Sequence, residues 1–391
     1  MPEPLERVNL AEIETGEKTD GLLALGSNQK SAFAFGKGST VYLSAPGGEL
    51  HTEEEKARFE ERLAFCRQRN GFEEEVVAAD MHPLYETRFI EVNKEAPVIG
   101  VQHHHAHHVS CMLDNQIHEP CFGIILDGTG YGTDGCTWGF EFLYGDAAGF
   151  RRLGHLRYSP LPGGDRAVRE PWRAACGMLL DAFPGEGREL ADSFFPEKKQ
   201  AINLIEQMVR LRLNTPPAGT CGRLFDAVSA VLGLCHAANY EGEGAVLLTD
   251  CAQKALERGA GAESYSWLSC KKEALVELDM MPALWEIVQE KSEGKETDRI
   301  ALRFHRTIID ACVSVTAQLA ALHPGLDKKV VLSGGSFQNP LLKESITCGL
   351  QEKGFTVYSH NRIPCHDGGL AAGQLLIAAQ QREQMKQEGG G

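Results

Sequence analysis

The chain has 391 residues, 42% of them hydrophobic and 24% charged, and a formal net charge of −15. That length suffices for two lobes with separate cores, and the acidic balance argues against a broad nucleic-acid footprint, which needs clustered Lys and Arg. No apolar run approaches about 18 residues, so no membrane span is expected, and the twelve Cys contain no CxxC pair, so they read as reduced thiols of a cytoplasmic protein rather than a zinc ribbon.

Residues 1–19 read as a polar lead-in without a secretory signal, and a first lobe is expected over residues 20–118. Its apolar segment 21–25 ends in Gly26, and strand-like runs follow at 31–35 and 40–43. Residues 53–69 read as an exposed, charged helix with Phe59, Leu63 and Cys66 at helical spacing. A strand at 76–80, a helix at 84–91 and a buried strand at 96–101 complete this half. A second lobe over residues 119–384 begins the pattern again, with strands at 121–126, 138–143 and 150–156 and a Gly-rich turn after the first. Helices dominate from about residue 170 to 322, with a loose or inserted stretch near 259–296. A strand at 329–332 runs into Ser333-Gly334-Gly335, and a helix, a short strand at 355–358 and an Ala-rich helix at 369–382 close the chain. Residues 385–391 are expected to be a disordered tail. Continuous apolar strands suit a sheet covered on both faces, and ligands of such folds lie at strand carboxyl ends between lobes. Gly26, Asp127 and Gly334 are therefore candidate walls of one cleft.

The sharpest signal is Gln102-His103-His104-His105-Ala106-His107-His108, which holds five of the 14 His within six residues, after an apparent strand and at the start of an apparent helix. His103 and His107 lie at i and i+4 on one helical face, a spacing at which two neutral imidazoles bind one Zn²⁺ or Fe²⁺. His366 and Asp367, just before the last helix, are the best distant candidates for a further ligand. Asp127-Gly128-Thr129-Gly130 and Ser333-Gly334-Gly335-Ser336 each follow a strand, where Gly lets backbone N–H groups approach phosphate oxygens and a carboxylate can orient Mg²⁺ or water. Asp226, on an amphipathic helix, suits a ribose hydroxyl or, equally, an ordinary acidic helix start.

Taken in order, these segments resemble the HypF family of nickel–iron hydrogenase maturation carbamoyltransferases. The matching stretches are Leu23 to Gly26 with Lys30, Asp80-Met81-His82-Pro83, Val101 to His107, Asp127 to Gly132, Leu161 to Asp165, Arg169 to Arg173, Gly222 to Val228, Tyr240 to Glu243, Ser333 to Asn339 and Asp367 to Gly369. They extend from about residue 20 to 382. The resemblance implies an α/β, two-lobed actin-like (duplicated RNase H-like) fold related to the tRNA threonylcarbamoyl transferases. It implies His103, His107 and Asp367 as ligands of a divalent metal, Zn or Fe. It places Asp127, Gly128, Thr129 and Gly130 at the phosphates of an ATP- or AMP-derived group, with Mg as a further expected ion. Asp226 falls near the ribose, and Gly334, Gly335 and Asn339 on the adenine side. His104 and Lys30 are the candidate catalytic side chains. The implied reaction carries the carbamoyl group from carbamoyl-adenylate to the C-terminal Cys thiol of HypE, the precursor of cyanide on the hydrogenase iron.

The acylphosphatase-like, zinc-motif and YrdC-like portions of complete HypF chains have no counterpart in the sequence, which reads either as a fragment or as a stand-alone homologue that needs an adenylate-forming domain or protein. The first loop reads Gly26-Ser27-Asn28-Gln29 where the family usually has Gly-Gly-Glu-Leu, His366 stands where Asn is usual, and His108 where an apolar residue is usual. An O-carbamoyltransferase acting on a small-molecule hydroxyl and a non-catalytic metal- or nucleotide-binding adaptor are the alternatives. A tRNA-modifying threonylcarbamoyl transferase is disfavoured by the acidic charge and the extra His104 and His105, and a sugar or acetate kinase leaves the His cluster without a role.

Overall fold

A computed structural model describes residues 8–389, apart from 262 and 273. The first part of the chain forms β1 (Leu10–Glu14), β2 (Leu22–Ala24), β3 (Ala34–Lys37), β4 (Thr40–Ser44), α1 (Glu53–Asn70), β5 (Val76–Asp80), β6 (Val98–Val101) and α2 (His103–Asp114). Its strands pair in the order β1-β4-β3-β2-β5-β6. The helix α1 packs Phe59, Leu63 and Cys66 inward and starts at a capping box, in which the Thr52 hydroxyl accepts from Glu55 N and the Glu55 carboxylate accepts from Thr52 N. Thr52→Ala is expected to cost about 1 kcal/mol, measurable as a lowered urea midpoint at unchanged slope.

A second sheet follows. Its early elements are β7 (Cys121–Tyr131), β8 (Thr137–Asp146), β9 (Gly149–Leu156), β10 (Ser159–Pro160), α3 (Arg166–Arg169), α4 (Pro171–Ala182), α5 (Gly187–Phe194), α6 (Lys199–Leu211), β11 (Pro217–Thr220), α7 (Cys221–Val231) and α8 (Glu243–Glu257). The later ones are β12 (Leu268–Lys272), β13 (Leu275–Asp279), α9 (Met281–Ser292), α10 (Thr297–Leu322), β14 (Lys329–Ser333), α11 (Pro340–Glu352), β15 (Thr356–Ser359) and α12 (Leu370–Gly389). The main strand order is β12-β13-β9-β8-β7-β14-β15.

Both sheets contain the same five-strand unit. In the first, β2, β3 and β4 run antiparallel in succession, and β5 and β6 then join parallel beside β2. In the second, β7, β8 and β9 do the same, and β14 and β15 join parallel beside β7. The structure is therefore a duplicated, two-sheet α/β fold of the expected actin-like class.

The two helices that end these units exchange places. The first, α2, lies against β7, β8 and β14 of the second sheet, and α12 covers β2, β3, β4, β5 and β6 of the first. They pack on each other in the middle, where Ala106, Val109 and Leu113 meet Leu370, Ala371 and Leu375 in one buried cluster. This layering buries the His-bearing helix between the sheets, which no lobe boundary drawn along the sequence anticipates.

Several expectations need correction. Within the polar lead-in, residues 10–14 form an edge strand on β4, of which only Ile13 is buried. The strand expected at 31–35 lies at Ala34–Lys37, and residues 84–91 hold only a short 3₁₀ turn, Glu86–Phe89. The stretch 259–296 carries the β12–β13 hairpin and α9, the hairpin joining the sheet through β13 on β9. The last helix continues to Gly389, through part of the expected tail, whose residues 390–391 lie outside the described residues.

Candidate metal centre and flanking cavities

The His cluster is folded as the first turns of α2. Gln102 caps it, its side-chain oxygen accepting from His105 N at 2.8 Å. All five histidines are buried, which only a protein-internal task for polar rings repays. His105 meets the Asp146 carbonyl at 2.7 Å, and His108 meets Cys121 Sγ at 3.4 Å. His103 and His107 point instead toward the second half of β7 and the turn before α12. There they meet Asp127 and Asp367, one donor atom from each of the four residues lying within 4.8 Å of all the others.

His107 Nε2 sits 3.4 Å from Asp127 Oδ2 and 3.5 Å from Asp367 Oδ1. It is buried, yet its alignment with both is too poor for a hydrogen bond. His103 Nε2 is 3.3 Å from Asp127 Oδ2 and 3.8 Å from Asp367 Oδ1. The remaining atoms are anchored. His103 Nδ1 lies 2.7 Å from Asp80 Oδ2, Asp127 Oδ1 accepts from Gly335 N at 3.0 Å, and Asp367 Oδ2 accepts from Ser27 Oγ at 2.6 Å. Burial disfavours a charged His103, but Asp367 and Asp80 outweigh it and hold the imidazole well above its usual range. Burial likewise opposes an ionised Asp127, and His107 and His103 hold its carboxyl well below the usual range. Two imidazoles and two carboxylates converging in a dry site, with an orphaned ring nitrogen, fit a small divalent cation.

In the sequence Asp80 carries no signal beyond its place in a family-like stretch. It fixes the His103 ring, and its other oxygen accepts from His82 N at 2.8 Å. Asp80→Asn should weaken metal affinity about 10- to 100-fold while leaving the fold intact, checked by metal titration beside circular dichroism.

Two cavities adjoin the cluster. The first, of about 360 Å³, is walled by Lys30, Asp127, Gly128, Arg223, Gly335, Asn339 and Asp367 among others. Arg223 is buried and 3.1 Å from Asp226, yet its Nε and Nη1 make no hydrogen bond. A guanidinium in a cavity wall suits an anion. The second cavity, of about 870 Å³, shares Gln29 and Glu241 with the first and is lined by His82, Tyr85, Thr129, Gly130 and Tyr131 among others.

The expected residues thus divide. Asp127 joins the metal cluster, while Gly128, Gly335, Asn339 and Lys30 line the first cavity. Thr129 and Gly130 face the second. Gly130 lets two rings approach, since a Cβ there would lie 2.4 Å from His104 Cε1. Gly334, at φ 104°, turns the chain against Leu126, and lines neither cavity. Asp226 sits behind Arg223, its carboxyl pushed up by burial against the pull of that guanidinium. Asn339 caps α11 and also donates to Thr249 Oγ1 at 2.9 Å. His104 lines neither cavity. Burial and the neighbouring His103 hold it well below its usual range, so it is a neutral ring packed behind His103. Arg223, Glu241, Gln29 and Tyr85 are site residues that the sequence does not mark. Arg223 and Glu241 lay inside matching stretches, but nothing local marks a buried guanidinium or a wall between cavities.

A duplicated two-sheet fold with a buried His/His/Asp/Asp cluster between cavities defines a Kae1-like protein. The sequence matches the HypF Kae1-like domain over residues 17–114, and the second subdomain of the carbamoyltransferase Kae1-like domain over residues 123–374. The chain belongs to the HypF carbamoyltransferase family. It is 32% identical over 396 residues to Carbamoyltransferase HypF2 of Cupriavidus necator, covering 94% of this chain and 48% of that protein. A Carbamoyltransferase HypF homolog of the same organism is 33% identical, with 94% of each chain covered. The crystal structure of full-length HypF in the phosphate- and nucleotide-bound form superimposes with a TM-score of 0.87 at 33% identity, over 95% of this chain and 48% of that one. The chain thus spans about half the length of the HypF2 and full-length HypF proteins it matches.

Proposed function

We propose that this chain is a carbamoyl-transfer unit of nickel–iron hydrogenase maturation, moving the carbamoyl group of carbamoyl-adenylate to the C-terminal Cys thiol of a HypE-like acceptor. The observation that carries this reading is a shared wall: Asp127 and Asp367 belong both to the metal cluster and to the first cavity. One donor molecule then has its carbamoyl end at the cluster and its AMP end over Gly128, Gly335 and Asn339. Arg223, steadied by Asp226, and Lys30 at the cavity mouth supply positive charge for the phosphate, with Mg as a further counterion. The matching full-length HypF structure is of a nucleotide-bound form, which is consistent with a nucleotide-binding family.

His103, His107, Asp127 and Asp367 would hold the Zn or Fe ion, whose chemistry when bound is Lewis-acid polarisation of the carbamoyl oxygen. In the transfer, the acceptor sulfur bonds to the carbamoyl carbon, the bond from that carbon to the phosphate oxygen breaks, and AMP leaves with the bonding pair. The thiol proton passes to the carboxylate of Glu241, which faces both cavities and whose pKa is raised by burial against the pull of Arg223. His104 and Asp80 keep the His103 ring in place. The carbamoyl-adenylate is supplied by a YrdC-like adenylate-forming domain or protein. Among the described residues no helix is long and apolar enough to cross a membrane, and the twelve free cysteines suit the reducing cytoplasm we assign it to.

The test is intact-mass analysis of a HypE-like protein after incubation with this chain and carbamoyl-adenylate, with His103→Ala beside the wild type. The expected result is one carbamoyl group on the terminal Cys, absent with the variant. Full transfer by the variant would remove the cluster from the mechanism.

A further inference from the structure

The Gly-rich turn after β14 offers a phosphate less than its sequence promises, because its first amides are engaged within the protein. Gly334 N donates to Cys365 O at 3.0 Å, and Gly335 N donates to Asp127 Oδ1 at 3.0 Å. The neighbouring side chains also direct N–H groups inward, Gln338 Nε2 to Gly335 O at 3.1 Å and Asn339 Nδ2 to Thr249 Oγ1 at 2.9 Å. Asp127 and Asp367 meanwhile present negative charge to the same cavity. A phosphate seated at this end needs a further donor, close to the bond that breaks.

His366 stands at that place. The four-residue metal cluster does not include it, and its half-buried ring lines the first cavity instead. Its Nδ1 accepts from Gly368 N at 3.0 Å, which caps the short turn Asp367–Gly369 that carries a ligand carboxylate. A ring nitrogen that accepts a backbone N–H carries no proton, so the proton of this imidazole sits on Nε2, at the far edge of the ring. Among the described residues Nε2 has no hydrogen-bond partner. A Cβ built on Gly335 would lie 4.0 Å from His366 Cβ. The ring therefore springs from the point where the metal-bearing turn meets the Gly-rich one. In the reaction proposed above, that is where the carbamoyl end of the donor gives way to its AMP end.

We propose that His366 is a nucleotide-binding residue, its Nε2–H donating to the phosphate of the bound AMP moiety. The assignment rests on the nucleotide-cavity reading of the preceding section and adds a donor to that site. The N–H stays on the ring throughout, and the hydrogen bond strengthens as AMP departs with the bonding pair and its oxygen gains charge. Where the family usually has Asn, an amide can still cap Gly368 N but ends nearer the backbone. The contact is thus a property of this chain.

Two substitutions separate the ring nitrogens, since the amide oxygen of Asn takes the place of Nδ1 and the amide nitrogen of Gln takes that of Nε2. The experiment uses the full chain with its His366→Asn and His366→Gln variants. It measures AMP and adenosine affinity by calorimetry and metal content by elemental analysis. The expected result is an AMP Kd raised about tenfold or more in the Asn variant, the scale of one hydrogen bond to a charged group. In the Gln variant the AMP Kd should stay within about twofold of wild type, while the lost cap on Gly368 N lowers its urea midpoint. Adenosine affinity and metal content should be unchanged in both. Wild-type AMP affinity in the Asn variant would overturn the assignment, and so would an equal loss in the Gln variant. A parallel loss of adenosine affinity would mean that the ring shapes the cavity rather than binding phosphate, and a fall in metal content in both variants would make it a ligand. Either result overturns the proposal. Absence of AMP binding by the wild type would overturn the nucleotide-cavity reading together with this contact. The expected affinities without carbamoyl transfer would uphold the contact and overturn the reaction alone.

Discussion

His107→Ala is expected to empty the metal centre and to lower carbamoyl transfer by roughly two to three orders of magnitude, the scale on which removal of one electrostatic stabiliser acts. The reason lies in the position of His107 in the fold. Its Nε2 is buried and makes no hydrogen bond, although two carboxylate oxygens lie 3.4 and 3.5 Å away. That nitrogen has no hydrogen bond to lose, so its removal forfeits packing, about 1–3 kcal/mol, and the charge pairing that helps to hold Asp127 ionised. Function and stability therefore separate at this position. Metal content by elemental analysis should fall toward zero in the variant, while its urea midpoint drops modestly and its AMP affinity persists. Unchanged metal content together with wild-type transfer would refute the ligand role. Lost AMP binding would instead show that the substitution had collapsed the whole cleft.

The His pair was legible in the sequence because its geometry is local. Once α2 starts at His103, the i, i+4 relation to His107 follows from helix geometry alone. The two-lobed plan was legible for a related reason: buried strands end in Gly-containing turns twice over. The place of Asp127 was not. Read locally, an acid in Asp-Gly-Thr-Gly suits a phosphate turn, whereas its carboxylate reaches His103 and His107 across the interface between β7 and α2, residues about twenty apart in sequence. The same holds for Asp80, which reaches His103 from the end of β5. Neither β1 nor β12 carries an apolar run, since each is an edge strand, β1 burying only Ile13 fully and β12 leaving most side chains in water. Their hydrogen bonds to β4 and β13 come from pairing geometry that composition does not record.

Gly373→Ala should destabilise the protein by about 2 kcal/mol or more and weaken metal binding with it. In an ordinary exposed helix this exchange stabilises by roughly 1 kcal/mol. Here α12 crosses α2 so closely that a Cβ on Gly373 would lie 1.9 Å from the Ala106 carbonyl oxygen and 2.9 Å from Ser110 N. Both contacts are backbone, so no rotamer change relieves them, and one helix must move away from the other. Ser110 Oγ of α2 also donates to Gly369 O, just before α12, at 2.9 Å, and Gln374 ties α12 to the loop after β2, accepting from Gly26 N at 2.9 Å and donating to Gly26 O at 3.0 Å. Displacing α12 therefore pulls on the loop carrying Ser27, which holds Asp367, while displacing α2 moves His103 and His107 themselves. Either response spoils the convergence of four ligand atoms within 4.8 Å. Urea denaturation and metal titration of the same preparation should show both losses. A variant as stable as the wild type, with wild-type metal affinity, would mean that the α2–α12 contact is looser than this packing requires and that the metal centre does not depend on it.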